Sequence, residues 1–276
     1  MSPILSLAFA LASAAACAEP LDVPIPLAAA HVQDGPFDHA HARWTAVLAA
    51  HLRDGRFDYR ALSEARGELD QYLLDLRGVE RDEFAAWTRE QRYAYWINAY
   101  NAFTVHLVLS RYPVKSIQDI GTTAAPVWKK EFVPLGHLYG EGTTELISLD
   151  TIEHRILRPQ FEDARVHAAV NCASESCPPL AIEAFHAEDL DAQLDARASA
   201  WLAEASLNRF DAEERRAEVS AIFDWFEADF ARDAGSVEAW IARYGPESSR
   251  WMADGGKVEL RHLEYSWALN DVPRKG

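Results

Sequence analysis

A long apolar segment between residues 88 and 113 constrains the fold more than any other feature of this chain. Thr88 and Gln91 have the spacing of a capping box, which marks the start of a helix. Pro113 is incompatible with a helix interior and marks its end. The large apolar residues between them recur at helical spacing and share one face: Trp96, Tyr100, Phe103 and Leu107. The segment therefore predicts one long helix.

Two amide side chains, Asn98 and Asn101, interrupt this apolar segment three residues apart. Buried amides must find hydrogen-bond partners. Such a pair predicts either a clamp on a neighbouring loop, which is the more common role, or the positioning of a polar group in a site.

The rest of the chain predicts a helix-rich α+β fold with a small sheet. Apolar spacing predicts helices over residues 190–202, from about Ser220 onward and over 236–244, and alternation predicts a half-exposed strand over 258–262. Because no repeat or linker separates these elements, we expect one globular domain over residues 44–276.

Charge excludes some classes of partner. The chain of 276 residues has 43 acidic and 27 basic side chains, a formal charge of −16. Nucleic-acid binding requires a basic face, so we expect no nucleic-acid partner, and anionic membrane surfaces are disfavoured for the same reason.

The first residues predict export. Residues 1–18 have an apolar centre followed by small residues, as in a secretory signal peptide cleaved before Glu19. Lipoprotein processing at Cys17 is the less favoured alternative. Residues 19–43 predict an extended lead-in, and we expect a periplasmic or extracellular protein with no membrane insertion after signal removal.

A short helix predicted from Ser148 carries two ionisable residues of different character. At 100° per residue, Glu153 falls beside the apolar stripe and His154 falls on the opposite side. A carboxylate at the edge of a core needs a cation or several donors. The candidate cations nearby are Arg155, Arg158 and Arg165.

The segment RVHAAVNCASESCPPLAI, residues 165–182, contains the most reactive side chains. Val166, Ala168 and Val170 alternate with the residues between them, which predicts a buried strand. Residues 172–176 are able to begin a short helix after this strand. Cys172 would then lie at a helix N-terminus, where its pKa falls and the nucleophilic thiolate is favoured.

Three interpretations of Cys172 and Cys177 remain open. They form a disulfide, as their export would permit, or Cys172 is a nucleophile, or both bind zinc together with His167. If the segment is extended, His167 lies about 16 Å from Cys172, and contact between the two requires the chain to bend back sharply. The alternative base is His154, His137 or another histidine, and the sequence does not choose among them.

Several motifs in one order resemble the family catalogued as domain of unknown function 547, from about residue 80 to 271. They are YWINAYNAFTVHLVL at 95–109, ISLDTIEHRILRP at 147–159, VHAAVNCASESCPPL at 166–180, VSAIFDWFEADF at 219–230 and YSWALND at 265–271. The resemblance implies that the important polar positions are Asn98, Asn101, Glu153, His167, Cys172 and Cys177. By analogy, it also suggests a papain-like or transglutaminase-like thiol enzyme, in a permuted arrangement because the histidine precedes the cysteine.

These observations lead to two hypotheses of function. The first is a thiol-dependent hydrolase or acyl transferase acting on a peptide or amide in the cell envelope, without a cofactor. Cys172 would attack a carbonyl, His167 or His154 would be the base, Asn98 or Glu153 would orient it, and backbone amides near Cys172 would bind the oxyanion. Four further residues are predicted to line the binding site: Asn101, Asn171, Cys177 and Trp128. The alternative is a binding module for a small molecule or peptide, with a Cys172–Cys177 disulfide and no chemistry.

Overall fold

Helices form most of the described chain, and the strands are short. The structure is a computed structural model that describes residues 35–140 and 145–273. The helices are α1 Ala42–His51, α2 Tyr59–Glu64, α3 Gly67–Arg77, α4 Arg81–Ala86, α5 Arg89–Leu109, α6 Gly136–Tyr139, α7 Leu149–Thr151, α8 Arg158–Phe161, α9 Val166–Ala169, α10 Leu190–Ala203, α11 Ile222–Trp225, α12 Glu227–Ala234 and α13 Val237–Tyr244. A π-helical turn, Ile152–Leu157, joins α7 to α8, and 3₁₀ turns span Ile117–Ile120, Val127–Lys129 and Glu247–Ala253. The strands are β1 Leu52–Arg53, β2 Arg56–Phe57, β3 Arg209–Asp211, β4 Arg216–Val219 and β5 Glu259–His262.

Helix α5 is the predicted long helix, and it lies at the centre of the larger of two apolar cores. The capping box of Thr88 and Gln91 is present at its start. Every residue from Tyr93 to Leu109 is buried, so the helix is covered on all sides and not only on the predicted face. A helix buried all round is a core element, against which its neighbours pack.

A second, smaller core is built from α10–α13 and β4. Its centre is aromatic: Trp201 stacks on Phe223 at 4.6 Å, and Phe230 packs against Trp240 at 4.9 Å between ring centroids. The helices predicted over 190–202 and 236–244 correspond to α10 and α13.

The sheets are small, as predicted. Strands β1 and β2 form an antiparallel pair, and β4 pairs antiparallel with β3 and parallel with β5. Strand β5 is the half-exposed strand expected over 258–262. The helix-rich α+β class predicted from the sequence is therefore confirmed. None of the helices within residues 35–140 and 145–273 is both long and apolar enough to span a membrane.

The strand predicted between Val166 and Val170 is wrong, because residues 166–169 form the helical turn α9. All four residues of α9 are buried, including His167. When a short segment is buried on every side, its apolar residues carry no period that distinguishes a strand from a helix. Only Val170 has extended backbone angles.

The predicted signal peptide lies outside the described residues, as does most of the predicted lead-in over 19–43. Within the described part, Phe37 and His41 are buried, and α1 begins at Ala42. The end of the lead-in is therefore packed on the larger core.

Candidate active site

A cavity of about 180 Å³ opens where elements of both cores meet. Its polar lining residues come from α5, α7, the π-helical turn, α9 and the loop after it, and the segment after β5. They are Tyr100, Asp150, Glu153, His154, His167, Cys172, Cys177 and Tyr265. Its apolar wall is mainly aromatic and includes Trp128, Trp225, Phe226 and Trp267. The helical turn of α9 places His167 in the lining of the same cavity as Cys172. In the expected extended strand, the two side chains would have been too far apart to share it.

Asn101 clamps the start of the loop that carries Cys172. Its Nδ2 donates to the carbonyl oxygen of Ala169 at 2.9 Å, and its Oδ1 accepts from the backbone N–H of Asn171 at 2.9 Å. Both bonds are buried, so they hold the backbone next to Cys172 against α5. The loop clamp expected of the amide pair is therefore present.

Asn171 fixes the same loop from within. Its Nδ2 donates to the carbonyl oxygen of Pro178 at 2.8 Å, and its Oδ1 accepts from the backbone N–H of Ala173 at 2.8 Å. Asn270 donates a further bond to Asn171 Oδ1 at 3.2 Å. The two buried asparagines thereby close the loop around the cysteines.

Residues 172–177 form a tight turn and not the predicted short helix. Ala173 has a left-handed φ of 62°, and the backbone N–H of Cys177 donates to the Ser174 carbonyl at 3.2 Å. The backbone N–H of Cys172 donates to Cys177 Sγ at 3.0 Å. Cys172 therefore does not lie at the start of a helix, and the turn supplies a backbone donor to Cys177 Sγ instead.

Both cysteines are free thiols. Tyr265 Oη lies 3.2 Å from Cys172 Sγ and 3.2 Å from Cys177 Sγ. Ser174 Oγ lies 2.7 Å from Tyr265 Oη and 3.3 Å from Cys177 Sγ. The disulfide required by the alternative hypothesis is absent from the structure.

The two thiols have opposite tendencies to ionise. Burial disfavours the Cys177 thiolate, but hydrogen bonds from Cys172, Ser174 and Tyr265 outweigh burial and lower the pKa of Cys177 to about 6. The hydrogen bond to Cys177, together with burial, raises the pKa of Cys172. Burial and the two neighbouring thiols also raise the pKa of Tyr265, which keeps its proton. Of the two sulfurs, Cys177 is therefore the one that ionises more readily, and Cys172 is the one that keeps its proton more firmly.

We expect the ultraviolet absorbance to show the ionisation of one thiol with a midpoint near pH 6, well below the pKa of 9.0 of an unperturbed thiol. Cys177→Ser should remove this transition. Tyr265→Phe should move it to higher pH, because the thiolate loses one donor. A single transition near 9 in the wild-type protein would contradict the assignment.

His167 is oriented by Asp229, which lies on α12. His167 Nε2 and Asp229 Oδ2 are 2.8 Å apart, and the imidazole stacks on Phe226 at 4.1 Å between centroids. His167 Nδ1 has no hydrogen-bond partner among the described residues. A hydrogen bond at Nε2 leaves Nδ1 as the nitrogen available for proton transfer.

Asp229 is held ionised in a buried position. Its carboxylate also accepts from Arg158 Nε at 2.6 Å and Arg232 NH1 at 2.9 Å. Burial opposes its ionisation, but the bonds from His167 and Arg158 prevail and lower the pKa of Asp229. Sequence reasoning missed this residue. The available signal was its position three residues after Phe226, on the apolar face of the predicted helix.

Glu153 and His154 both line the cavity, so placing His154 on the opposite side of the helix was wrong. The π-helical turn has more residues per turn than an α-helix, so consecutive side chains are separated by a smaller angle. The expected cation for Glu153 is also wrong: the donor is Tyr100 Oη at 3.0 Å. Arg158 instead bonds to Asp229 and donates to His154 Nδ1 at 2.9 Å.

The remaining predicted residues are divided between the cavity and the core. Trp128 lines the cavity and packs on Trp267 at 5.7 Å. Asn98 is fully buried and does not line it: its amide exchanges two hydrogen bonds with the backbone of Phe185, at 2.7 and 3.0 Å. His137 bonds to the carbonyl oxygen of Val79, away from the cavity.

The geometry does not favour a metal centre. Within residues 35–140 and 145–273, no three histidine, cysteine or carboxylate side chains are grouped as metal ligands would be. His167, Cys172 and Cys177, the ligand set considered for zinc, do not form such a group.

Comparison with known proteins finds similarity to one family model, over part of the chain. None of the curated proteins and none of the solved structures matches the sequence. Residues 84–202, which include Asn101, Glu153, His167 and both cysteines, match the model of the family described as "Protein of unknown function, DUF547", the family that the motifs predicted.

Proposed function

We propose that the protein is a thiol-dependent hydrolase or acyl transferase with Cys172 as its nucleophile. One observation carries this proposal. The Cys172 thiol and the His167 imidazole line the same cavity, and the buried carboxylate of Asp229 orients the imidazole. A thiol, a base and a group that orients the base are the parts that nucleophilic acyl transfer requires.

Cys172 is the sulfur that reaches substrate, because it is half-buried while Cys177 is only 5% exposed. Cys177 acts as the first proton acceptor. As Cys172 Sγ bonds to the carbonyl carbon, its proton passes to the Cys177 thiolate. His167 Nδ1 accepts this proton from Cys177 and gives it to the leaving amine as the bond from the carbonyl carbon to that amine breaks.

Deacylation reverses these transfers. A water oxygen bonds to the acyl carbon and gives its proton to His167 Nδ1, while the bond to Cys172 Sγ breaks. Cys172 then recovers its proton from His167 Nδ1. An acceptor amine or alcohol in place of water turns the same sequence into acyl transfer.

Tyr265 is the donor best placed for the developing oxyanion. The backbone amides of Cys172, Ala173 and Cys177 already have partners within the turn, so these three N–H groups are not free to bind the oxyanion. Tyr265 Oη lies 3.2 Å from Cys172 Sγ, and its raised pKa keeps the hydroxyl protonated. A fixed donor beside the forming tetrahedral carbon is the usual means of stabilising that charge.

A peptide or amide is the substrate class we propose for this chemistry. If residues 1–18 direct export, the substrate lies in the cell envelope. A relationship to papain-like or transglutaminase-like enzymes in permuted order is part of the same proposal.

The test uses an activated acyl ester, whose leaving group reports acylation directly. Wild-type protein should release one equivalent of leaving group in a burst, followed by slower turnover. Cys172→Ser should abolish the burst. Cys177→Ser is the matched control: it keeps the nucleophile, loses the first proton acceptor, and should show a slower burst of the same size. An undiminished burst from Cys172→Ser, with both variants folded by circular dichroism, would refute the proposal.

A further inference from the structure

The aromatic residues of the cavity form one continuous wall. Trp225 and Trp267 are nearly parallel, 12° apart in plane and 6.0 Å between ring centroids. Tyr265 packs on Trp267 at 4.7 Å, and Trp128 extends the wall at 5.7 Å from Trp267. Trp225 is 47% exposed, so protein does not cover its ring. An uncovered aromatic wall beside a nucleophile offers a binding surface to a ligand that favours contact with π faces.

The charged groups of the cavity are all negative. Asp150 and Glu153 line it, whereas no lysine or arginine does. Tyr100 is the donor to Glu153, so the full negative charge of that carboxylate remains. The thiolate of the cysteine pair adds a further negative charge. An anionic substrate would therefore be repelled.

Arg158, which bonds to the cavity residue His154, does not neutralise this charge, because its guanidinium already has other partners. Its Nε bonds to Asp229, and its NH1 donates to His154 Nδ1. Since His154 accepts at Nδ1, it carries its proton at Nε2, which faces Asp150 at 3.8 Å. The hydrogen bonds of Arg158 therefore go to Asp229 and His154 and not to the carboxylates of Asp150 and Glu153.

We infer that the substrate carries an ammonium group, which binds between the aromatic wall and the carboxylates of Asp150 and Glu153. The inference rests on the proposed function only in calling the bound molecule a substrate; the binding of the ammonium group itself does not depend on the acyl chemistry. An ammonium ion is attracted to tryptophan and tyrosine faces and to carboxylates, and these are the two kinds of surface present. A cavity of about 180 Å³ admits a group of this size and leaves the remainder of the substrate outside.

Two cationic probes with neutral isosteres test the inference through tryptophan fluorescence. Choline is paired with 3,3-dimethylbutan-1-ol, and butylammonium is paired with pentan-1-ol. We expect at least one cation to bind about tenfold or more tightly than its isostere, since cation–π and carboxylate contacts together exceed 1.4 kcal/mol. The probe that binds shows whether the ammonium group is quaternary or primary.

Charge-neutralising variants locate the site. Glu153→Gln and Asp150→Asn should each weaken binding of the cation and leave the isostere unchanged. Glu188→Gln, at an exposed acid that does not line the cavity, is the control and should change neither. Isosteres that bind as tightly as the cations, or no binding of either cation, would overturn the inference.

The same titration in Cys172→Ser separates this inference from the proposed function. Ammonium binding does not require the thiol, so it should persist in that variant. If the cations fail to bind while Cys172→Ser abolishes the ester burst, the substrate class is wrong and the thiol chemistry stands. If binding persists but the burst is unaffected by Cys172→Ser, the chemistry is wrong and the cation site stands.

Discussion

Asp229→Ala should lower the free energy of unfolding by about 3–5 kcal/mol, the range for removing one partner from a buried ionic network. The carboxylate is 4% exposed and accepts hydrogen bonds from His167, Arg158 and Arg232. Its removal leaves the cationic Arg158 and the buried imidazole without their acceptor. Chemical denaturation followed by tryptophan fluorescence measures this change.

Glu227→Ala is the matched control, because Glu227 is an exposed acid on the same helix. It should change the unfolding free energy by no more than about 0.5 kcal/mol. The two proteins should also differ in their response to acid. Since the pKa of Asp229 is depressed in the folded state, its stabilisation is complete above the unfolded carboxyl value of 3.8 and is lost as pH falls through the lower folded value. Equal stabilities of Asp229→Ala and Glu227→Ala at neutral pH would contradict the network.

His167→Gln should slow turnover of an acyl substrate by about 10²–10⁴-fold, the range for loss of a general acid–base group. Glutamine retains a donor for Asp229 but cannot transfer a proton as the imidazole does. The thiolate transition near pH 6 should be unchanged, because Cys172, Ser174 and Tyr265 are the donors that set it. This combination distinguishes a proton-transfer role from a general disturbance of the site.

His154→Gln provides the comparison, because the sequence alone left both histidines as candidate bases. Both nitrogens of His154 are directed to neighbours, Nδ1 to Arg158 and Nε2 to Asp150. We therefore expect His154→Gln to slow turnover much less than His167→Gln. The reverse order would assign the base to His154.

The sequence predicted the helical framework, because long capped helices carry their signals locally. Thr88 and Gln91 mark the start of α5, and Asn101 clamps the cysteine loop as a buried amide should. The cysteine turn was harder to predict. Residues 166–177 form a buried helical turn followed by a tight turn with left-handed Ala173, and neither produces a periodic pattern.

The other differences between the predicted and the observed site involve partners that are far apart in the sequence. Asp229 lies 62 residues from His167, and Tyr265 lies 93 residues from Cys172. No spacing rule connects such positions, and the packing of the second core on the cysteine loop is what brings them together. The same limit applies to Glu153, whose donor is Tyr100 on α5 and not one of the arginines near it in sequence.

Identifying which sulfur carries the acyl group tests the central claim most directly. Protein mixed with the activated ester, quenched in acid during the burst and digested, should yield one acylated peptide with the acyl group on Cys172. The Cys177→Ser variant should give the same peptide, and His167→Gln should give it more slowly. An acyl group found on Cys177, or on no cysteine at all, would contradict the assignment of Cys172 as the nucleophile.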